Sequence, residues 1–290
     1  MMKNWILLKF QPKKTIILDC SSACEILTKI NEPSFKITTD LGLGTANVEV
    51  RGTKIFIEGL EISPEELKAI MEDIEGVYSL SEKGLSKLVI AGEHFYKLKR
   101  VGENTAPTLE IDGIHMHKIV GTTPWEDARK KVLLARIKAG QKVLDTCMGL
   151  GYTAIHSALV GAEVTTVEID PNVIELASYN PWSRGLDSPR IQIILGDVCE
   201  LVKEFKEESF DRIIHDPPRF SGKTGVLYGR EFYAQLHRVL KEGGVLFHYV
   251  GSPRKFRGVD LIKSVARRLK EVGFQTEMHR RAEAVLAFKK

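Results

Sequence analysis

The sequence predicts an α/β protein: a Rossmann-like sheet, mostly parallel with an antiparallel last strand, preceded by a small N-terminal α+β domain. Three observations carry this. After residue 120, apolar strand-like runs alternate with helical segments, the pattern of a parallel sheet covered by helices on both faces. Successive runs end on an acidic residue, and the first opens into a Gly-x-Gly turn. The last two runs, "FQTEMHRR" and "AEAVLAFKK", leave no room for a crossover helix, so they pair as an antiparallel hairpin. The expected boundaries are 1–110 for the small domain, a candidate substrate-presenting module, and 111–290 for the sheet domain.

The elements follow in chain order. "MMKNWILLKF" has a short apolar core and no small-residue cleavage site, so it reads as a strand and not as a signal peptide. Cys20 and Cys24 lie one helical turn apart in "LDCSSACEIL". "ANVEVRG" and "KIFIEG" alternate with period two around Arg51-Gly52-Thr53, a hairpin signature. In "SPEELKAIMEDI" Ser63 is an N-cap, Pro64 opens the helix and acids fill its first turn, each favoured at a helix N-terminus. "LVIAGEHFYKLKRVG" and "TLEIDGIHMHKIV" return to strand patterning. His115 and His117 share one strand face, yet neither this pair nor Cys20/Cys24 is completed by a second ligand pair nearby. No metal site is therefore expected.

The second part supplies strands in "KVLDTC", "EVTTVEID", "IQIILGD", "FDRIIHD" and "GGVLFHYVG". Helices are read in "TAIHSALVG", "PNVIELASYN", "EFYAQLHRVLKEG" and "DLIKSVARRLKEVG". Composition is that of a globular protein, with 43% hydrophobic and 28% charged residues among 290. No apolar run approaches the roughly 20 residues that span a bilayer, so a cytoplasmic protein with no membrane role is expected. Four scattered cysteines exclude a disulfide framework. A net charge of +4 permits an anionic partner without requiring one.

The motifs sit at the carboxyl ends of the strands, where open α/β sheets bind ligands. Asp145 precedes a turn with Gly149 and Gly151, whose missing side chains allow a close backbone approach at a helix N-terminus. A tight turn with no ligand is the alternative. Glu168 closes the next strand, where a carboxylate suits ribose hydroxyls. Asp197 closes the third and fits equally well as a helix cap. Asp216 closes the fourth and runs straight into Pro217 and Pro218.

Asp145-x-x-x-Gly149-x-Gly151, Glu168, "GD" at Asp197, "DPP" at Asp216 and the final hairpin together resemble the class I S-adenosylmethionine-dependent methyltransferases. "TDLGLG", "MHKIVGTTPWEDARKK", "LDTCMGLGYTA" and "HDPPRFSG" resemble, more narrowly, an archaeal family of predicted methyltransferases. Cys147 stands where that loop usually has its first glycine. The resemblance implies S-adenosyl-L-methionine as cofactor, approached by Asp145, Cys147, Gly149 and Gly151. It implies Glu168 and Ile169 at the ribose, Asp197 and Val198 at the adenine, and "TTPWEDARKK" closing over the cofactor. Trp125 in that segment is read first as a packing residue. It further implies that Asp216, Pro217 and Pro218 orient an acceptor amine beside the transferred methyl, with Asp216 also touching the cofactor. Arg219 and Phe220, where an aromatic residue would follow the prolines, are the expected substrate contacts.

The expected activity is N-methylation, with RNA as the expected acceptor and a small-molecule or protein amine as the other classes. The basic run Arg254, Lys255, Arg257, Lys263, Arg267, Arg268, Lys270, Arg280 and Arg281 suits phosphate contacts or is simply a solvated face. "HYVGSPRKFRG" has no cysteine, which argues against a covalent pyrimidine C5 mechanism. Two alternatives stay open. "LYGREFYAQLHRVLKEGGVL" resembles polyamine synthases, which transfer aminopropyl from decarboxylated S-adenosylmethionine. A nicotinamide-binding module, or another nucleotide-binding module without methyl transfer, would explain the glycines and Glu168 but not Asp-Pro-Pro.

Overall fold

The computed structural model describes residues 5–251 and 260–290. The chain divides into two units, the larger formed by Met1–Phe10, Ala128–Pro171 and Leu186–Lys290, the smaller by Gln11–Asp127 and Asn172–Gly185.

The large unit is built on one eight-stranded sheet. Its strands are β1 (Ile6–Leu8), β2 (Lys142–Asp145), β3 (Glu163–Glu168), β4 (Ile191–Leu195), β5 (Phe210–His215), β6 (Leu240–Tyr249), β7 (Gln275–His279) and β8 (Ala284–Phe288). Their order across the sheet is β1-β4-β3-β2-β5-β6-β8-β7. The run from β4 to β6 is parallel. β8 lies antiparallel to both β6 and β7, which is the terminal hairpin expected from the sequence. The chain's first strand is antiparallel to β4, with Ile6 opposite Leu195.

The parallel strands are buried on both faces, so they read as continuous apolar runs. Leu144, Val167, Ile194, Ile213 and Leu246 from five of them meet in one core. Helices α1 (Pro124–Leu134), α2 (Tyr152–Leu159), α3 (Val198–Glu204), α4 (Arg230–Val239) and α5 (Leu261–Glu271) accompany this sheet, the first turn of α1 being assigned to the small unit. α4 buries Phe232, Tyr233, Leu236 and Val239, and α5 buries Ile262, Val265, Ala266 and Leu269, each at helical spacing. The helical pattern in "EFYAQLHRVLKEG" stops at Val239, earlier than the sequence suggests. Leu240 turns to extended backbone and is fully buried beside Phe210, so sheet pairing captures it.

In the small unit, Ser34–Thr39, Gly44–Arg51, Lys54–Ile57 and Leu60–Ile62 form one antiparallel sheet. The predicted hairpin is there: Arg51 faces Lys54 across a Gly52-Thr53 loop, with Gly52 at φ +64°. Ser63 caps Pro64–Glu72 and exchanges hydrogen bonds with Glu66, as the motif predicts. Ile26, Val48, Ile55, Ile57, Leu67 and Ile70 fill this unit's core. His115 pairs with Glu110 at 3.0 Å, and His117 lies 3.0 Å from the Thr108 hydroxyl. Trp125 stacks edge-on against Trp182, with ring centroids 5.2 Å apart.

Candidate active site at the sheet's carboxyl edge

The parallel order of β2, β3, β4 and β5 brings Asp145, Glu168, Asp197 and Asp216 to the carboxyl ends of adjacent strands. Their environments then differ sharply.

Asp145 is fully buried and accepts hydrogen bonds from the Thr153 hydroxyl at 3.0 Å and the Thr166 hydroxyl at 2.7 Å. It ties β2 to β3 and to the first turn of α2. Burial raises its pKa to about 7 against the pull of the two threonines, and the nearby charges of Asp216 and Glu168 add to the rise. Glu168 is 9% exposed and accepts three backbone N–H groups, from Gly149, Ile169 and Asp170, each at 3.0 Å. Burial again dominates and lifts its pKa to about 7, with those three donors opposing. A carboxylate has about four lone-pair sites, so Glu168 both holds the glycine loop and keeps acceptor capacity.

The loop is pinned at each end. Thr146 N donates to Ile214 O, Met148 N to Val167 O, and Gly151 N to Met148 O. Gly149 and Gly151 take φ of +54° and +80°, where only glycine is comfortable. A Cβ at Gly151 would come within 2.5 Å of the Leu186 side chain. Cys147 has no left-handed φ, which explains why a side chain is accepted there. Its thiol pKa is pushed well up, by burial first and then by the charges of Glu168, Asp145 and Asp216.

Asp216 forms an ion pair with Lys131 of α1 at 2.6 Å. Lys131 is only 5% exposed, and its ammonium stands 4.3 Å from the Tyr249 ring centroid, within cation–π range. Tyr249 in turn donates its hydroxyl to Glu283 at 3.0 Å. Pro217 is buried, and the carbonyl of exposed Pro218 accepts the hydroxyl of buried Tyr228 at 2.9 Å. His215, immediately before Asp216, is anchored at both ring nitrogens. Its Nε2–H donates to Leu227 O at 2.9 Å, which leaves Nδ1 to accept the Thr146 hydroxyl at 2.7 Å. Burial lowers the His215 pKa to about 4, so the ring is neutral at ordinary pH. The adjacent His248 is likewise neutral, donating from Nδ1 to Tyr249 O and accepting the Tyr233 hydroxyl at Nε2.

Other expected residues stand apart from this cluster. Asp197 is exposed and caps α3 through Cys199 N at 2.8 Å, the alternative its sequence context left open. Val198 is buried in the core and Ile169 is 66% exposed. Arg219 is exposed, while Phe220 rests edge-on against Tyr228 at 5.3 Å. Among the basic residues, Arg267 pairs with Glu271, Arg280 with Asp260, and Arg268 donates to Tyr228 O. Arg254, Lys255 and Arg257 lie outside the described residues.

Sequence reasoning missed Lys131, His215, Tyr228 and His248. A signal existed for Lys131, which falls in helical phase with the buried Ala128, Val132 and Ala135. The small unit holds a separate cleft of about 590 Å³ lined by Cys20, Cys24, Glu25 and Asn104. None of the expected site residues lines it. Its Asp19 is engaged by Arg100 at 2.8 Å and by its own helix N-terminus.

Residues 148–280 match the family model of the spermine/spermidine synthase domain. The uncharacterized protein MJ1233 of Methanocaldococcus jannaschii is 50% identical over 220 residues, covering 76% of this chain and 75% of that protein. The ribosomal RNA large subunit methyltransferase I of Aeromonas hydrophila is 28% identical over 56% of this chain, which spans 42% of that enzyme's length. A crystal structure of spermidine synthase in complex with the transition-state analogue AdoDATO superposes with a TM-score of 0.56 at 22% identity, over 70% of this chain and 73% of that one. This similarity establishes a shared fold.

Proposed function

We propose, from the premise that this chain belongs to the family of the M. jannaschii protein MJ1233, that it transfers an alkyl group from an S-adenosyl sulfonium to a nitrogen acceptor. The observation that carries the reading is the convergence of Asp145, Glu168 and Asp216 at the carboxyl ends of adjacent parallel strands, with Glu168 holding the glycine loop through Gly149 N. Asp145 and Glu168, whose proton affinity is raised chiefly by burial, suit a cationic ligand nearby. The glycine loop, held by Glu168 through Gly149 N and leading into the N-terminus of α2, sits at the strand ends where open α/β sheets take ligands.

When bound, such a sulfonium supplies an electrophilic carbon beside a good leaving group. The protein's own contribution is orientation. Asp216 accepts an N–H of the acceptor, and the two prolines fix the backbone on which that carboxylate sits. Tyr228 holds the turn at the Pro218 carbonyl, and His215, the residue before Asp216, is itself held by Leu227 and Thr146. Proximity of this kind is worth up to roughly 7–11 kcal/mol of barrier.

Two groups are candidates for transfer. The matched family model and the shared fold lend more support to aminopropyl, drawn from decarboxylated S-adenosylmethionine. Methyl transfer, with RNA as proposed acceptor, is favoured by the double proline after Asp216, a feature of amino-methyltransferase turns in the resemblance described above. Incubating the purified protein separately with labelled S-adenosylmethionine and its decarboxylated form, with cellular RNA and a small-amine mixture as acceptors, tests both. Label transferred from neither donor, with no binding of S-adenosylhomocysteine or of the decarboxylated donor, would refute the proposal.

A further inference from the structure

The ion pair between Lys131 and Asp216 bears on which acceptor this site takes. α1 places Lys131 on its buried face, in line with Ala128, Val132 and Ala135. A lysine on such a face normally runs its stem outward until the ammonium reaches water. Here the side chain is 7% exposed and the ammonium is retained, 2.6 Å from Asp216 and over the Tyr249 ring. A carboxylate and a ring face meet the charge there and make its burial tolerable.

We infer that Lys131 makes the acceptor site selective for an uncharged nitrogen, an amide or a conjugated amine such as that of a nucleobase, and selects against the alkylammonium groups of polyamines. This rests on the reading of Asp216 as the acceptor-side group. The Asp216 charge is already balanced by Lys131. A second cation brought to it meets attraction from the carboxylate and repulsion from the ammonium at similar range, and also loses its own hydration. A neutral N–H suffers neither penalty. It needs only one more lone pair of a group with about four such sites. Glu283 is engaged by the Tyr249 hydroxyl at 3.0 Å, so it does not replace Asp216 as an anchor for a cation.

The test is calorimetric titration of the S-adenosylhomocysteine-loaded protein with putrescine. The wild type should show no saturable putrescine binding below millimolar concentration. Lys131→Gln should gain at least about tenfold in putrescine affinity, and Lys131→Arg, which keeps the charge, should behave as wild type. If Lys131→Gln does not fold, Lys131→Met, which preserves the buried stem, takes its place. Micromolar putrescine binding by the wild type, or no gain in a folded charge-deleted variant, overturns the inference. Failure of the wild type to take up either S-adenosylhomocysteine or the decarboxylated donor would instead undermine the parent reading of the site.

Discussion

Asp145 and Asp216 have the same side chain on neighbouring strands, and the structure gives them different work. Asp145 is sealed between two threonines with a pKa near 7, while Asp216 is one-fifth exposed and ion-paired. For Asp145 the pH dependence has a definite sign. Its folded pKa lies above the unfolded value of about 3.9, so the native state binds the proton more tightly. Its contribution is fullest below about pH 4 and is lost as pH rises through about 7. Comparing wild type with Asp145→Asn by thermal unfolding isolates this group from the histidines. The wild type should lose on the order of 2–4 kcal/mol relative to the variant between pH 4 and pH 8, and a pH-independent difference would contradict the assignment. For Asp216, replacement by Ala should cut transfer by about 10²-fold or more while donor affinity changes by less than about threefold. Equilibrium dialysis beside a turnover assay separates these outcomes. Both acids were legible as strand-end residues, because an acid closing an apolar run is conspicuous. Their partners were not, because Thr153, Thr166 and Lys131 come from other segments and only the fold brings them in.

At the scale of elements, two turns carry the design. The glycine loop was readable from its residue types, and its positive φ values at Gly149 and Gly151 follow from them. The contact with Leu186 was not readable, since that residue is 35 positions further on in the sequence. Gly151→Ala should destabilise the large unit by about 1–3 kcal/mol through strain and the clash together, measurable as a lowered urea midpoint at unchanged slope. The Asp-Pro-Pro turn was visible as rigid backbone, but its clamp was hidden. Tyr228 reaches the Pro218 carbonyl from ten residues away, and the histidine phases are indistinguishable from those of ordinary core residues. Tyr228→Phe should cost about 1 kcal/mol of stability and lower turnover more than donor affinity; a pure affinity defect would place Tyr228 on the donor side instead. The terminal hairpin needed no such help, because two strand patterns separated by too few residues for a helix have one way to join.

For the whole molecule, alternation of strands and helices announced the parallel sheet, and spacing announced its antiparallel end. What periodicity could not reveal was membership. A three-residue run such as Ile6–Leu8 carries no mark of the sheet it will join, and its partner Ile191–Leu195 is almost two hundred residues distant. Residues 172–185 likewise belong with the small unit although they lie deep in the second half of the chain. A fragment beginning at residue 111 should therefore be poorly soluble, with β4 left as a bare edge, and size-exclusion chromatography would show this against the full chain. The same pairing makes folding of this sheet a matter of distant encounters. β1 has to be joined by β4 from far along the chain before it finds its place, and β8 has to fold back onto β6 past an intervening helix and strand. The sheet is thus closed from distant pieces, a slow, long-range step that leaves unpaired edges in need of protection until β1 and β8 are both in place.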